Sequence, residues 1–264
     1  MIRVMFLTDA RLVAAGKKLA AAGYEVISAA TLSETEQIFQ TDPFQINCVV
    51  LPIRGTDDGT VTLNDGIVDI GPLLKSLKPG TPVFTAHKTA YLQALGLNIQ
   101  NCFESKAVAH ANAPLTAEGV LWMILEKTPR SLNEYTYDVL GMGNTGTCIT
   151  ALLKKLGLQV RSFARGEKSD ILPLSSWAQS DPADVIIVTI PTQVISKEIV
   201  KQWKKPITVI DIASGRAGVA PEALTLPNIT YFAAPPLPSI VAPVTGGELI
   251  ADFIIETLGG AQMQ

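Results

Sequence analysis

A glycine-rich run, Gly141-Met142-Gly143-Asn144-Thr145-Gly146, constrains the fold of this chain more than any other feature. It follows a short apolar segment, Tyr137–Leu140, which predicts a strand running directly into the glycines. In such a turn Gly141 allows the sharp change of direction, Gly143 lets the backbone approach a pyrophosphate, and Gly146 lets a helix pack closely on the strand. The run therefore predicts a strand–turn–helix whose helix N-terminus attracts an anion.

The residues after the glycines supply the context that this pattern needs. An amphipathic helix through Leu152, Leu153 and Leu156 is followed by a second apolar segment, Leu158–Phe163. The two strands begin about 30 residues apart, which is the usual span of a βαβ unit. We interpret the segment as a Rossmann dinucleotide-binding unit, and a purely structural βα turn is the alternative.

The end of the second strand indicates which dinucleotide is bound. NAD-binding units place Asp or Glu there to hold the ribose 2′-hydroxyl, whereas this chain has Ala164 followed by Arg165. A guanidinium pairs well with a 2′-phosphate, so the sequence favours NADP(H) over NAD(H). Glu167 lies close enough to weaken this preference, and a solvated surface role for Arg165 is the alternative.

Composition excludes several classes of function. Among 264 residues, 47% are hydrophobic, and the net charge of −3 comes without any block of basic residues. We therefore expect no nucleic-acid partner and no membrane association. The cysteines Cys48, Cys102 and Cys148 are isolated and have no metal-ligand spacing, so we expect no metal site and a cytoplasmic protein.

Alternating strand and helix patterns predict an α/β fold with two Rossmann-like domains, parallel sheets and a crevice between them. The expected divisions are an N-terminal α/β substrate-side domain (1–112), an interdomain helix (113–127), an NAD(P)-binding domain (128–240) and a C-terminal helix (241–264) that returns to the first domain. In the first domain the expected strands are Val4–Leu7, Glu25–Ile27, Ile46–Pro52 and Pro82–Phe84, the expected helices lie around Leu12–Ala20, Glu34–Phe39 and Leu74–Leu77, and Gly55–Gly59 is a polar loop.

A second unusual stretch surrounds Asn112. Pro114 predicts a turn, and Thr116 is a good N-cap for a helix with Glu118 in its first turn. This composition is typical of a capped helix that crosses between domains. It equally suits a ligand site with Asn112 beside an ordered turn, because α/β ligand sites lie in such crevices.

In the second domain the strand ends are the expected cofactor-facing positions. They carry Thr189 and Pro191 after one buried strand, and Ala213 and Ser214 after the next. The loop Gly215–Gly218 could admit a nicotinamide or a substrate. Prolines in Ala233–Pro238 predict neither regular helix nor central strand, and a closing helix follows.

Taken together these motifs resemble the A subunits of dipicolinate synthase, oxidoreductases of spore-forming bacteria. The resemblance covers nearly the whole chain and implies NAD(P)-dependent oxidation of a dihydrodipicolinate-type dicarboxylate to dipicolinate, within dipicolinate biosynthesis. It also implies a partner, which would be a second, flavoprotein-like subunit. The motifs that carry the resemblance are Asp9-Ala10-Arg11, Leu51-Pro52, Asn112 with Thr116, Glu118 and Gly119, the glycine loop, Ala164-Arg165, Asp211–Ser214, and Leu237-Pro238 with Val241-Ala242-Pro243.

The chain departs from that family at basic positions. Asn144 stands in the glycine loop where the family usually has Arg, and Val244 follows the last Ala-Pro where it usually has Lys. Gly215–Gly218 replaces an Arg-Pro-Gly-Gly type of loop, Pro236 replaces a glycine, and Pro114 lies one residue early. Since a dicarboxylate needs cationic or N–H partners, these departures concern the substrate rather than the fold.

Candidate catalytic residues follow from the proton transfer that an oxidation of this kind requires. The histidines, His87 and His110, both precede the nucleotide domain, unlike the acid–base histidine of hydroxyacid dehydrogenases. Oxidation of a dihydropyridine-like ring needs a base, for which Glu118 or His110 could serve. The predicted substrate-binding residues are Asp9, Arg11, Lys88, Asn112 and Thr116.

Each of these candidates has an ordinary structural alternative. His110 could be a surface histidine, Lys88 a solvated loop lysine, and Arg11 the anchor of a helix start, with Asp9 bound to it by a salt bridge. At the level of the whole chain, the alternatives are a catalytically silent nucleotide-binding partner or sensor subunit, or a reductase of another small imine. We expect a small-molecule substrate and a homo-oligomer, with the apolar helix Val120–Leu125 buried between domains or between subunits.

Overall fold

The computed structural model describes residues 2–166, 170–213, 215 and 218–260. Its contacts divide the chain into two units. Unit 1 comprises the described parts of 1–112 and 242–264, and unit 2 comprises those of 113–241. Unit 2 is therefore inserted between the body of unit 1 and its last helix.

The strands and helices alternate along both units. The strands are β1 Ile2–Phe6, β2 Glu25–Ala29, β3 Ile46–Val50, β4 Thr60–Thr62, β5 Ile67–Asp69, β6 Pro82–Thr85, β7 Asn98–Asn101, β8 Thr136–Leu140, β9 Gln159–Ala164, β10 Leu172–Pro173, β11 Val185–Val188, β12 Ile207–Asp211 and β13 Ile229–Ala233. The helices are α1 Ala10–Ala21, α2 Thr35–Gln40, α3 Gly71–Ser76, α4 Ala90–Ala94, α5 Lys106–Lys127, α6 Asn144–Lys155, α7 Leu174–Trp177, α8 Lys197–Lys201, α9 Leu237–Val241 and α10 Pro243–Gly260. Short 3-10 turns occupy Pro43–Gln45, Cys102–Glu104, Leu132–Glu134 and Pro221–Ala223.

Unit 1 is built on a five-stranded parallel sheet in the order β2-β1-β3-β6-β7. All five residues of β1 are buried, because both faces of the sheet are covered. On one face Met5, Cys48 and Phe84 pack with residues of α1 and with Ile250 and Ile254 of α10. The C-terminal helix thus completes the core of unit 1.

Unit 2 is built on a six-stranded parallel sheet in the order β10-β9-β8-β11-β12-β13. The central strand β11 is buried along its whole length, as its uninterrupted apolar sequence predicts. The predicted α/β class with two parallel sheets is therefore confirmed. No helix among the described residues has the length and apolar character needed to cross a membrane.

Some elements of unit 1 were not predicted from the sequence. The polar loop around Gly55–Gly59 leads into an antiparallel hairpin, β4–β5, that the sequence pattern did not predict. Strand β7 and helix α4 were also missed, because Asn98–Asn101 is a polar edge strand without an apolar run. Edge strands need little apolar sequence, so periodicity alone does not reveal them.

The expected turn at Pro114 and the N-cap at Thr116 are wrong. Helix α5 runs without a break from Lys106 to Lys127 and contains Pro114. A proline removes one backbone hydrogen bond and costs roughly 3 kcal/mol in a helix interior. Buried side chains on both sides of it, such as Val108 and Val120, provide packing that outweighs this cost.

The segment Ala233–Pro238 was also only partly predicted. Leu237–Val241 forms helix α9, with Pro238 in its first turn. Proline is tolerated there because the first helical N–H groups have no intrahelical partner.

Candidate functional site

The β8–α6 turn of unit 2 is shaped by two of its three glycines. Gly141 has a φ of +104°, a conformation that other residues rarely adopt. A Cβ on Gly146 would overlap the carbonyl oxygen of Gly141. Both positions therefore require glycine for the turn and for the close approach of α6, as the sequence predicted.

The third glycine leaves the N-terminus of α6 open. Gly143 is the N-cap residue, is exposed, and has no atom within 4 Å of where its Cβ would be. Having no side chain, it cannot accept from the first-turn amides of Asn144, Thr145 and Gly146. These free N–H groups and the helix dipole favour an anion, so the turn fits the pyrophosphate of a dinucleotide.

The corresponding β1–α1 turn of unit 1 is closed by a carboxylate. Asp9 caps α1 by accepting from the backbone N–H of Arg11 at 2.8 Å and of Leu12 at 3.4 Å. The Arg11 guanidinium, with 4% of its side chain exposed, donates to the same carboxylate at 2.9 Å. The predicted Asp9–Arg11 salt bridge exists, and its negative charge occupies the position where an anionic ligand would bind.

Thr189, after β11, fixes the glycine turn from the neighbouring strand. Its hydroxyl lies 3.1 Å from the carbonyl oxygens of both Leu140 and Gly141, and its backbone N–H donates to Leu140 at 2.9 Å. A Cβ on Gly141 would overlap this hydroxyl. Thr189 thus supports the turn, whereas Pro191, two residues on, is exposed.

Arg165 lies beside an open cleft of about 440 Å³ in unit 2. The guanidinium is exposed and donates to the hydroxyl of Thr192 at 3.4 Å. Ala164 is half-buried at the end of β9, and Glu167, the carboxylate that could weaken the preference for a phosphate, is outside the described residues. The cleft is lined by Arg165, Leu174, Ser175, Trp177, Ala178, Gln193 and Val194.

Trp177, which lines this cleft, and Thr192, which binds Arg165, were not predicted from the sequence. Trp177 is buried, and its indole N–H donates to Asp138 at 3.0 Å. The Asp138 carboxylate is completely buried and also binds Arg161 through two contacts of 2.7 and 2.8 Å. Hydrogen bonding to Asp138 raises the pKa of Arg161, and the two contacts join β8 to β9 next to Trp177.

A second buried carboxylate, Asp211, ends β12 and is 1% exposed. It accepts from the N–H of Ala213 at 2.9 Å, the N–H of Gly218 at 3.2 Å and the hydroxyl of Tyr231 at 3.2 Å. The predicted cofactor residue Ala213 is thus held by this carboxylate, and Ser214 lies outside the described residues. An acidic residue closing an otherwise apolar strand was the available signal for Asp211.

Helix α5 carries four of the predicted site residues. Asn112 and Thr116 are half-buried and four residues apart, which places them on one face of the helix. His110 and Glu118 are exposed and eight residues apart, about 12 Å along the axis, so only one of them can reach a given substrate atom. Gly119 of α5 contacts α9, where a Cβ would overlap the side chain of Leu237.

Lys88 follows β6 in unit 1 and is engaged in an ion pair. Its ammonium lies 2.7 Å from the Glu104 carboxylate, and both side chains are partly exposed. A substrate carboxylate would compete with Glu104 for it. Among the described residues, no three His, Cys, Asp or Glu side chains are arranged to hold a metal ion.

No protein-family model matches this chain. Individual proteins and solved structures do resemble it. The chain is 25% identical over 241 residues to the A subunit of dipicolinate synthase from Bacillus subtilis (strain 168), covering 84% of this chain and 81% of that protein. The crystal structure of the A subunit of dipicolinate synthase from Bacillus halodurans has a TM-score of 0.87, with 24% identity and 97% of each chain covered. The resemblance predicted from the motifs is confirmed.

A more distant structure shares the fold. It is the NADPH-dependent glyoxylate/hydroxypyruvate reductase SmGhrB of Sinorhizobium meliloti in complex with NADP and malonate. Its TM-score is 0.53, with 14% identity, 98% of this chain covered and 92% of that chain. This likeness concerns the dehydrogenase fold alone.

Proposed function

We propose that the chain is an NADP(H)-dependent oxidoreductase that acts on a cyclic imino dicarboxylate of the dihydrodipicolinate type. The observation that carries the proposal is the open N-terminus of α6, with Gly143 as its N-cap and Arg165 beside the neighbouring cleft. The contrast with α1, whose N-terminus is occupied by Asp9, supports a nucleotide site in unit 2. The resemblance to the A subunit of dipicolinate synthase supports the substrate class.

The cofactor would be held by groups that this chain supplies at three places. The first-turn amides of α6 would bind the pyrophosphate, Arg165 would bind a 2′-phosphate, and Ala213 would lie near the other end. The remaining predicted contacts are the glycine-loop residues Met142, Asn144 and Thr145, with Ala164, Thr189, Pro191 and Ser214. A bound nicotinamide supplies hydride transfer, which the side chains themselves cannot perform.

The chain's own chemical task would be to bind two carboxylates and to take up one proton. Lys88 is the proposed cation, with Asn112 and Thr116 as hydrogen-bonding partners. Arg11 is 4% exposed and bound to Asp9, and would serve as the anchor of the helix start. Glu118 or His110 would accept the proton. Because the relative from Bacillus subtilis is named as one subunit of its enzyme, we propose a second chain of flavoprotein-like type for the partner.

Titration of the purified protein with NADPH and with NADH, followed by nicotinamide fluorescence, tests the cofactor. We expect micromolar NADPH binding that Arg165→Ala weakens at least tenfold, because it removes the charge-assisted bonds to the 2′-phosphate. NADH binding should change less than twofold. Arg130→Ala is the matched control, since Arg130 is a surface arginine of unit 2 paired with Glu134. If neither NADPH nor NADH binds, the proposal is wrong.

The proton acceptor can be identified by separate substitutions in a turnover assay with dihydrodipicolinate and NADP⁺. Either Glu118→Gln or His110→Asn should lower kcat by about 10²- to 10⁴-fold, as expected when a general base is lost. The other variant should retain most of the activity. Equal, small effects of both would exclude these two residues as the base.

A catalytically silent nucleotide-binding partner protein is the second candidate. Two positions favour it. Asn144 is exposed in the glycine loop, and Val244 is 61% exposed near the start of α10, where the family usually has cations. This candidate predicts nucleotide binding without turnover of dihydrodipicolinate. Turnover gained by the Asn144→Arg, Val244→Lys double variant would identify the missing charges as the cause.

A further inference from the structure

The buried carboxylate of Asp211 is not itself among the proposed cofactor contacts, although it holds the backbone of Ala213, which is one of them. A carboxylate removed from water is costly unless hydrogen bonds compensate it, and Asp211 receives three. Two of the donors are backbone amides, of Ala213 and Gly218. Because these residues lie on both sides of the loop after β12, the carboxylate holds the two ends of that loop together.

Gly218 passes this restraint on to the loop after β11. Its carbonyl oxygen accepts from the backbone N–H of Val194 at 2.9 Å and of Ile195 at 3.0 Å. A Cβ on Gly218 would come within 2.5 Å of a methyl carbon of Val188, so Gly218 is pressed directly onto β11. A parallel bridge between Ile195 and Val219 continues the pairing.

The restrained segment forms one wall of the cleft beside Arg165. Val194 and Gln193 line that cleft, and the preceding residue, Thr192, accepts from the Arg165 guanidinium. A continuous series of hydrogen bonds therefore connects Asp211, through Gly218, to Val194 and Ile195, which directly follow Thr192 and Gln193 in the chain.

We propose that Asp211, Gly218 and Tyr231 form a latch that positions residues 192–195 for nicotinamide-nucleotide binding. Asp211 is then a positioning residue that touches no part of the cofactor. The inference rests on the proposed function of the cleft as part of the nucleotide site. It goes further by assigning the geometry of the wall to a carboxylate on a different strand.

Asp211→Asn breaks the latch at nearly constant volume. In either orientation of the amide, its NH₂ group faces a backbone N–H, of Ala213 or of Gly218, and one acceptor is lost. Tyr231→Phe is milder, because both backbone hydrogen bonds to Asp211 remain. Asp184→Asn is the matched control: Asp184 directly precedes β11 at the N-terminal end of the strands, whereas Asp211 ends β12. The Asp184 carboxylate binds Thr136 and Lys205.

Hydrogen exchange of the nucleotide-free protein tests the latch itself. Asp211→Asn should accelerate amide exchange at least tenfold in peptides covering 192–195 and 218–220. Asp184→Asn should leave those peptides within twofold of the wild type. Unchanged exchange at 192–195 in Asp211→Asn would overturn the latch, whatever the nucleotide affinity.

Fluorescence titration of the same variants tests the consequence for binding, at a temperature where circular dichroism shows each variant to be folded. Asp211→Asn should weaken the binding of NADPH and of NADH by a similar factor of ten or more. The substitution displaces residues 192–195, and the contact of Arg165 with the 2′-phosphate is not removed. Arg165→Ala, by contrast, should affect NADPH alone. Tyr231→Phe should weaken both nucleotides about threefold, and Asp184→Asn less than twofold.

Two further outcomes separate this inference from the proposed function. Accelerated exchange with unchanged nucleotide affinity would overturn the positioning role while leaving the cofactor assignment in place. Accelerated exchange in a protein whose wild type binds neither nucleotide would overturn the proposed function, and with it the latch's role in cofactor binding.

Discussion

At the scale of single residues, the glycine loop shows how one amino acid serves two purposes. Gly146 is required by the fold, since a Cβ there would overlap the carbonyl oxygen of Gly141. Gly143 has an extended backbone conformation that alanine also adopts, and the space beside it is open. The sequence pattern predicted close packing at Gly146, which the structure confirms, and backbone approach to a pyrophosphate at Gly143, where the structure has open space.

This separation leads to a prediction for alanine at each position. Gly143→Ala should change the free energy of unfolding by less than about 0.5 kcal/mol and weaken nicotinamide nucleotides at least tenfold, because its methyl group enters the proposed anion site. Gly146→Ala should lower the free energy of unfolding by about 2 kcal/mol or more, as overpacking does. Urea unfolding and fluorescence titration measure the two effects. Equal stability losses would contradict the distinction.

The buried charge of Asp138 gives a second residue-scale prediction. In Asp138→Asn an amide N–H faces donors from Arg161, Trp177 or Ala183, and the arginine loses its counter-charge. We expect the free energy of unfolding to fall by about 3 kcal/mol, as when one partner of a buried pair is removed. The control is Asp252→Asn, which breaks the exposed pair with Lys18 and should cost less than about 1 kcal/mol. If Asp138→Asn lowered the free energy of unfolding by less than about 1 kcal/mol, as expected for an exposed pair, a stabilising role of the buried Asp138 charge would be contradicted.

At the scale of elements, the first βα turn of each unit treats the N-terminus of its helix differently. In unit 2 the turn leaves the amides of α6 free, and in unit 1 Asp9 satisfies those of α1. The difference is legible in the sequence, because an N-cap aspartate and a glycine loop are both local signals. Such local rules are the reason that the apolar strands of both sheets and the glycine turn could be predicted, whereas the edge strands β7 and β10 were missed.

Elements whose form depends on distant packing could not be predicted in this way. Helix α5 continues through Pro114 because buried residues on both sides stabilise it, which no rule for a single proline anticipates. The polar edge strand β7 has no apolar alternation, and its partner β6 supplies the pairing. The latch at Asp211 joins residues from three separate segments, and therefore no sequence spacing reveals it.

The contact between α1 and α10 allows an element-scale prediction with an internal control. A Cβ on Gly247 of α10 would overlap the backbone of Arg11, whereas a Cβ on Gly16 of α1 would meet Met5 at an ordinary 3.5 Å. Gly247→Ala should therefore lower the free energy of unfolding by about 1–3 kcal/mol. Gly16→Ala should raise it by about 0.5–1 kcal/mol through helix propensity. Effects of the same sign in urea unfolding would contradict the packing.

At the scale of the whole molecule, the two turns predict the stoichiometry of binding. Since the Asp9 carboxylate occupies the N-terminus of α1, only unit 2 presents an open helix terminus after a glycine loop among the described residues. Isothermal titration calorimetry with NADPH should give one nucleotide per chain. Two nucleotides per chain would contradict the assignment of different roles to the units.

Two buried thiols predict how stability depends on alkaline pH. Burial raises the pKa of Cys48 to about 12 and that of Cys102 to about 11. A raised pKa means that the folded state keeps its proton where the unfolded chain, with a pKa near ~8.5, has lost it. The stabilisation is fully present below pH ~8.5, and each thiol then removes about 1.4 kcal/mol per pH unit until its folded pKa is reached.

Urea unfolding between pH 8 and 10.5 measures this fall. Cys48→Ala and Cys102→Ala should each make the decline shallower by about 1.4 kcal/mol per pH unit above pH ~9, because one titrating thiol is gone. A decline as steep as that of the wild type in both variants would show that other groups cause it.

The insertion of unit 2 ahead of α10 has a consequence for folding during translation. The sheet of unit 1 is complete when residue 101 has been made, but the helix that covers one of its faces begins only at Pro243. At about 5–20 residues per second, translation of the intervening segment takes roughly 7 to 30 seconds. During that interval Met5, Cys48 and Phe84 have the contacts with α1 but lack those with Ile250 and Ile254 of α10, whereas unit 2 emerges with all of its own strands. Unit 2 can therefore complete its sheet before unit 1 receives the last helix of its core.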